Sequence, residues 1–280
     1  MSCSKRYATG PRLTALVLAC LNLSCEAREP PARTANQTPS TIQLGLPPAL
    51  REVSGLALTE SGSVLAVADE QALVFEISLE QGTVEPWLAI GDPPLAGDFE
   101  GIERIGQRTW LVQSDGTLLW SDGNRYQQIA TGFGRDCEIE GLALDPHSNR
   151  LLLLCKKHRD GTKRDQLRLR AVDAESGERD GSADLGFDLR ALFDALELRR
   201  FNPSGVAFTA DGSEIIIIAA KQRAFAVFDR AGTLRHAGEL PKRGKHRQAE
   251  GITLLGDGRV AIADEGGKGA GKLSIYERIY

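Results

Sequence analysis

The chain has 280 residues, 41% of them hydrophobic and 26% charged, with a formal net charge of −4, which is the composition of a globular protein able to bury a substantial core. Three of its 34 basic residues, Lys5, Arg6 and Arg12, stand in the first 25 positions without an acid. The remainder therefore carries about −7, a balance that argues against a nucleic-acid partner.

The N-terminus reads as a targeting segment over residues 1–25, a basic start followed by LTALVLACLNLS from Leu13 to Ser24. That apolar run is too short to span a bilayer and has the length of a signal core, so it is excluded from the fold. VLAC ending at Cys20 and LNLSC ending at Cys25 both resemble the lipobox of bacterial lipoproteins. Cys25 gives the longer apolar run, Val17 three before Cys20 the better match, and cleavage nearby into a secreted protein is the other reading. Residues 26–40, EAREPPARTANQTPS, are polar and Pro-rich, as in a disordered tether.

Residues 41–280 read as one domain. TIQLGL, residues 41–46, is a strand-like segment that precedes a recurring phrase. The phrase is SGLALTESGSVLAVADE from Ser54, EGIERIGQRTWLVQSDG from Glu100, EGLALDPHSNRLLLLCK from Glu140, SGVAFTADGSEIIIIAAK from Ser204 and EGITLLGDGRVAIADE from Glu250. Each copy is a β-hairpin by composition, and a second hairpin usually follows it, so the unit is a four-stranded meander. The anchoring glycines Gly55, Gly101, Gly141, Gly205 and Gly251 are 46, 40, 64 and 46 residues apart, the period of β-propeller blades. The longest gap holds a charged loop, KKHRDGTKRDQ, and a helix expected over DLRALFDALELRR with Asp188 as N-cap. The expected fold is therefore all-β, a five-bladed propeller of four-stranded antiparallel blades. The last unit has three strands of its own, so residues 41–46 are expected to complete it and remove an open edge.

In such a meander the first strand begins and the second ends on one face of the disc. The starts offer Ser54, Glu100, Glu140, Ser204 and Glu250; the ends offer Asp69, Glu70, Asp115, Lys156, Lys221, Asp264 and Glu265. All are expected to ring one axial mouth. Glu100, Glu140 and Glu250 would repel one another there unless a cation sat among them. Calcium, which takes six to eight oxygens at roughly 2.3–2.6 Å, suits that set, with the serines as further ligands. Salt bridges from the glutamates to Lys156, Lys221 or nearby arginines are the alternative. The strand pattern of bulky Leu against Gly and Ala gives the glycines a packing role.

Cys137 and Cys155 are the two cysteines of the domain and flank a hairpin, so either a disulfide or two thiols fits them. GGKGAGKL, residues 266–273, nearly spells a P-loop but lacks the Ser or Thr after its lysine and the helix that must follow, and reads as a loop. His147, His158, His236 and His246 share no ligand spacing and are expected at the surface, as is Glu138. No nucleophile elbow stands out, and the catalytic residues, if there are any, are unknown.

The ordered set VSGLAL with LAVADE, FEGIE, EIEGLALDPHSNRLLLLCK, FNPSGVAF and QAEGI with IADE resembles the SdiA-regulated family of bacterial envelope proteins, distant relatives of NHL-repeat propellers, over roughly residues 50–280. The resemblance implies a five-bladed propeller with a bound calcium ion and a place in the cell envelope, and brings no settled activity. Two readings stand: a monomeric, non-enzymatic, calcium-binding module for a small molecule or an envelope protein, touching membrane only through an N-terminal lipid, or a calcium-dependent hydrolase like phytase and lactonase propellers, with Lys156 and Lys221 steadying an anion.

Overall fold

The computed structural model describes residues 40–242 and 245–280. The expected signal segment with Cys20 and Cys25, and all of the expected tether but its last residue, lie outside them. After β1 (Ser40–Gly45), the chain builds blade one from β2 (Val53–Leu58), β3 (Val64–Ala68), β4 (Leu73–Ser78) and β5 (Thr83–Ala89). Blade two is β6 (Phe99–Ile105), β7 (Arg108–Gln113), β8 (Thr117–Ser121) and β9 (Tyr126–Ala130); blade three is β10 (Cys137–Asp145), β11 (Arg150–His158), β12 (Gln166–Asp173) and β13 (Leu185–Asp188). Helix α1 (Arg190–Leu196) leads to blade four, β14 (Gly205–Phe208), β15 (Glu214–Ala219), β16 (Ala224–Asp229) and β17 (Leu234–Glu239). Blade five is β18 (Ala249–Leu254), β19 (Val260–Asp264) and β20 (Lys272–Tyr276), with β1 as its outer strand.

The five antiparallel sheets form the expected five-bladed propeller. Runs such as EIIIIA in β15 form strands because β-branched side chains pack well on a pleated surface buried on both faces. The hairpin turns of blades one and five need left-handed residues at Gly62 and Gly258, with φ of 87° and 85°. The apolar core divides into five clusters, one for each seam between neighbouring blades. The first strands β2, β6, β10, β14 and β18 each touch the next around the ring, and β18 returns to β2.

Closure follows the expectation. β1 pairs antiparallel with β20, setting Ile42 opposite Ile275 and Leu44 opposite Leu273, so an N-terminal and a C-terminal segment share one blade. The helix is shorter than its sequence pattern. Glu197 takes a left-handed conformation, φ 54°, and ends it, while Asp188 closes β13 and accepts the Arg190 N–H at 2.9 Å from one residue before the N-cap position. Cys137 and Cys155 form a disulfide, with Cα atoms 5.6 Å apart, between the first two strands of blade three. GGKGAGKL fills most of the connection from β19 to β20 and runs into β20 at Lys272.

Candidate functional site: an acidic axial mouth

The ladder between first and second strands is interrupted at an equivalent place in four blades, and blade three has a further shift between Glu138 and Ile139. Register shifts fall between Val53 and Gly55, Phe99 and Gly101, Ile139 and Leu142, and Ala249 and Gly251. Ser54, Glu100, Glu140 and Glu250 are the residues at those bulges. A bulge re-aims its extra side chain and releases it from the two-residue alternation, so a glutamate can leave an otherwise apolar strand without breaking the strand's packing.

The first-strand glycines close the axis. A Cβ on Gly101 would stand 2.6 Å from the Leu142 nitrogen, one on Gly55 2.9 Å from the Gly101 Cα, and one on Gly205 2.8 Å from the Glu250 carbonyl. The first strands thus meet backbone to backbone, which only glycine permits. What is left is a gap of about 10 Å3, the space of one water, whose lining includes Ser54, Glu100 and Glu250. The axis is a shallow acidic mouth above a closed ring rather than an open channel.

Lys156, two residues before the end of β11, occupies this mouth. Its ammonium lies 2.7 Å from Glu140, whose side chain is 6% exposed. Burial alone would lower the Lys156 pKa, but the hydrogen bond and charge of Glu140, with the fields of Glu250 and Glu100, raise it. Of the two expectations for Glu140, the ion pair with Lys156 is the contact the structure holds. Even so, burial pushes Glu140 up to about 7, against Lys156 and assisted by Glu138. Glu100 is pushed up to about 9 by burial and then by Glu140, Asp98 and Glu250. Glu250 rises to about 8 through burial and Glu265, and Glu265 to about 7 through burial, Asp69 and Glu52. Asp69 rises too, by burial and by Glu52 and Glu70, and one of its oxygens is buried without a hydrogen-bond partner. Several carboxylates therefore share one nearby ammonium, and no ion pair is made by Glu100 or Glu250 among the described residues.

The remaining expected mouth residues divide by what they touch. The Ser204 hydroxyl donates to the Ala249 carbonyl at 2.7 Å and accepts from the Ala220 N–H at 3.0 Å, tying blade four to blade five. The Ser54 hydroxyl donates to the Val67 carbonyl at 3.4 Å. Asp115 is exposed and accepts the Thr117 N–H at 2.8 Å in a turn, and Glu70 and Lys221 are exposed at the rim. Glu265 accepts from Gln248. Glu138, expected to be solvated only, meets Lys157 at 2.8 Å.

Asp264, whose charge also acts on Glu250, is engaged by a histidine. Its carboxylate meets His246 Nδ1 at 2.6 Å, and His246 Nε2 lies 2.7 Å from the Tyr276 hydroxyl. All three residues are buried, which corrects the surface assignment of His246. Both ring nitrogens have partners supplied by β19 and β20, so burial leaves no polar atom unsatisfied. His236 lies in β17 and His158 ends β11, both half-buried. Sequence reasoning missed this trio because its members come from a loop and two strands with no fixed spacing. It also missed Glu52 and Asp98, although each immediately precedes a first strand.

The donor chemistry of the mouth suits a hard cation: carboxylate oxygens, desolvated and mutually repelling, around a water-sized gap. Among the described residues no three acidic, histidine or cysteine side chains are already gathered as a metal cage. Beside Lys156 a basic pocket of about 260 Å3 is lined by Lys157, Lys163, Arg164 and Arg200.

No family model matches the chain, and no curated protein matches it. Among solved structures, a glutaminyl cyclase from Myxococcus xanthus is 16% identical with a TM-score of 0.56, over 84% of this chain and 94% of the other. A luciferin-regenerating enzyme is 8% identical with a TM-score of 0.52, over 84% and 94%. Regucalcin, a calcium-binding protein from Agrobacterium tumefaciens, is 13% identical with a TM-score of 0.51, over 86% and 97%. At these identities the likeness shows the β-propeller fold alone. No described helix is long and apolar enough to cross a membrane.

Proposed function

We propose that the chain is a non-enzymatic binding module of the bacterial cell envelope whose acidic axial mouth holds calcium and receives a small molecule or an envelope protein there. The observation that carries this reading is the crowding of carboxylates at the mouth: partial burial and neighbouring acids hold the half-buried Glu100 up at about 9 and Glu250 at about 8. Their residual cost is relieved by a proton or by a cation, and a divalent ion relieves more than one group at once. Glu100 and Glu250 would be the principal donors, with Glu140 exchanging the Lys156 ammonium for the ion. Calcium would supply positive charge and a coordination centre for a partner's oxygens. The resemblance to the SdiA-regulated envelope proteins points the same way.

Calorimetric titration with calcium after chelation tests this reading. Binding in the wild type that is lost in both Glu100→Gln and Glu250→Gln supports it, and absence of binding in the wild type ends it. The basic pocket beside Lys156 favours a second reading, a calcium-dependent hydrolase of an anionic substrate, with Lys156 and Lys157 steadying the anion. Calcium-dependent turnover of model phosphate esters or lactones, abolished by Glu140→Gln, would replace the first reading with the second.

A further inference from the structure

Below the glycine ring the first strands splay apart, and at the opposite end of the axis from the acidic mouth they enclose a cavity of about 860 Å3. Its walls are the C-terminal halves of the first strands and the turns that follow them, closed on one side by the last residues of the chain. The volume is that of a site for a drug-sized ligand. Leu58, Leu144, Phe208 and Leu254, one from each of four blades, make the wall predominantly apolar.

The fifth first strand contributes a charge instead. Glu103 of β6 lies on the wall, and its two carboxylate oxygens accept the backbone N–H groups of Arg104 and Leu144, each at 2.9 Å. These bonds, one within blade two and one from blade three, fix the carboxylate's orientation. No cation is paired with it among the described residues, and burial pushes it up to about 7. Across the cavity His236 packs against the Tyr280 ring at 4.9 Å, and the Tyr280 hydroxyl donates to Glu214 at 3.0 Å. The His236 Nδ1 is buried without a hydrogen-bond partner. Acids outnumber the single cation of this wall, Arg278.

We propose that this cavity is a second ligand site, independent of the acidic mouth, for a small hydrophobic amine whose apolar body fills the funnel and whose ammonium pairs with Glu103. An apolar body alone gains by leaving water, and the ammonium adds a charge-assisted hydrogen bond to a carboxylate already oriented to receive it. The ammonium also offsets the cost of keeping the Glu103 charge at the wall of the cavity.

The test uses the full chain and the fluorescent probe N-phenyl-1-naphthylamine, displaced by dodecylamine or by dodecanol below their aggregation limits. Dodecylamine is expected to displace the probe at a concentration lower by at least about tenfold, the value of one charge-assisted contact. In Glu103→Gln the probe still binds, and the preference falls to within about twofold. Leu58→Trp and Leu144→Trp, each with its melting temperature checked, fill the funnel and suppress probe binding. Equal displacement by the two competitors, an amine preference that survives Glu103→Gln, or full probe binding in a folded Trp variant would each overturn the proposal.

Discussion

Replacing Glu100 by glutamine keeps the shape of the side chain and removes its charge. In the folded protein its pKa is about 9, against an ordinary value of 4.5, so folding at pH 7 requires this carboxyl to take up a proton that the unfolded chain has released. Two and a half pH units at about 1.4 kcal/mol each give a cost of about 3.5 kcal/mol. Because neighbouring carboxylates share the same field, about 2–3 kcal/mol is the better figure for one group. The sign follows from the raised pKa: the penalty is absent below pH 4.5, grows as pH rises, and levels off above 9. Glu100→Gln should therefore melt about 5–10 °C above the wild type at pH 7 in chelator, by less at pH 5, and by more at pH 9. Saturating calcium should shrink or reverse the difference, since the glutamine lacks the anion the ion requires. Thermal melts at the three pH values, with and without calcium, check it. A destabilised variant, or a difference that does not change with pH, would refute the electrostatic account of the mouth.

Deleting residues 41–47 removes the outer strand of blade five and the half-buried Ile42 and Leu44 with the buried Leu46. The loss is expected to be several kcal/mol at about 1.5–3 kcal/mol per buried side chain, and an unchanged melting temperature would show that β1 does not close the ring. Gly101→Ala sets a methyl 2.6 Å from a backbone nitrogen of the next blade and should cost at least about 1–3 kcal/mol in denaturant unfolding, because backbone on both sides cannot give way. Reducing the Cys137–Cys155 disulfide, which closes a loop with a sequence separation of 18, should lower stability by about 3 kcal/mol, read as a fall in melting temperature with reductant that a Cys137→Ser, Cys155→Ser double variant does not show.

The blades were legible because a propeller repeats one physical problem five times, and the same answer, a polar residue before a glycine before a buried strand, recurs at Ser54, Glu100, Glu140, Ser204 and Glu250. Closure by residues 41–46 was legible because blade five lacked a strand and one unassigned strand remained. The convergence of glutamates was also readable. The bulges were not, since a register shift depends on the partner strand and leaves no mark in the strand that carries it. The pairing of Glu140 with Lys156 needed the meander's geometry to choose among several basic residues. His246 escaped because its burial depends on Asp264 and Tyr276, which its own neighbourhood does not announce. The funnel escaped for a different reason. Leu58, Leu144, Phe208 and Leu254 look like core residues in sequence, and only the splay of the first strands below the glycine ring shows that they face a cavity.

The central claim, that the crowded carboxylates at the axial mouth bind a cation, is tested most directly by calcium titration at pH 7 in two buffers of different ionisation enthalpy. Glu100 and Glu250, at about 9 and about 8 without the ion, are then largely protonated and must release their protons to bind it. The account predicts one calcium per chain with one to two protons released at pH 7, about half a proton at pH 9, and none well above it. Absence of binding, or binding with no proton release at pH 7, would contradict it.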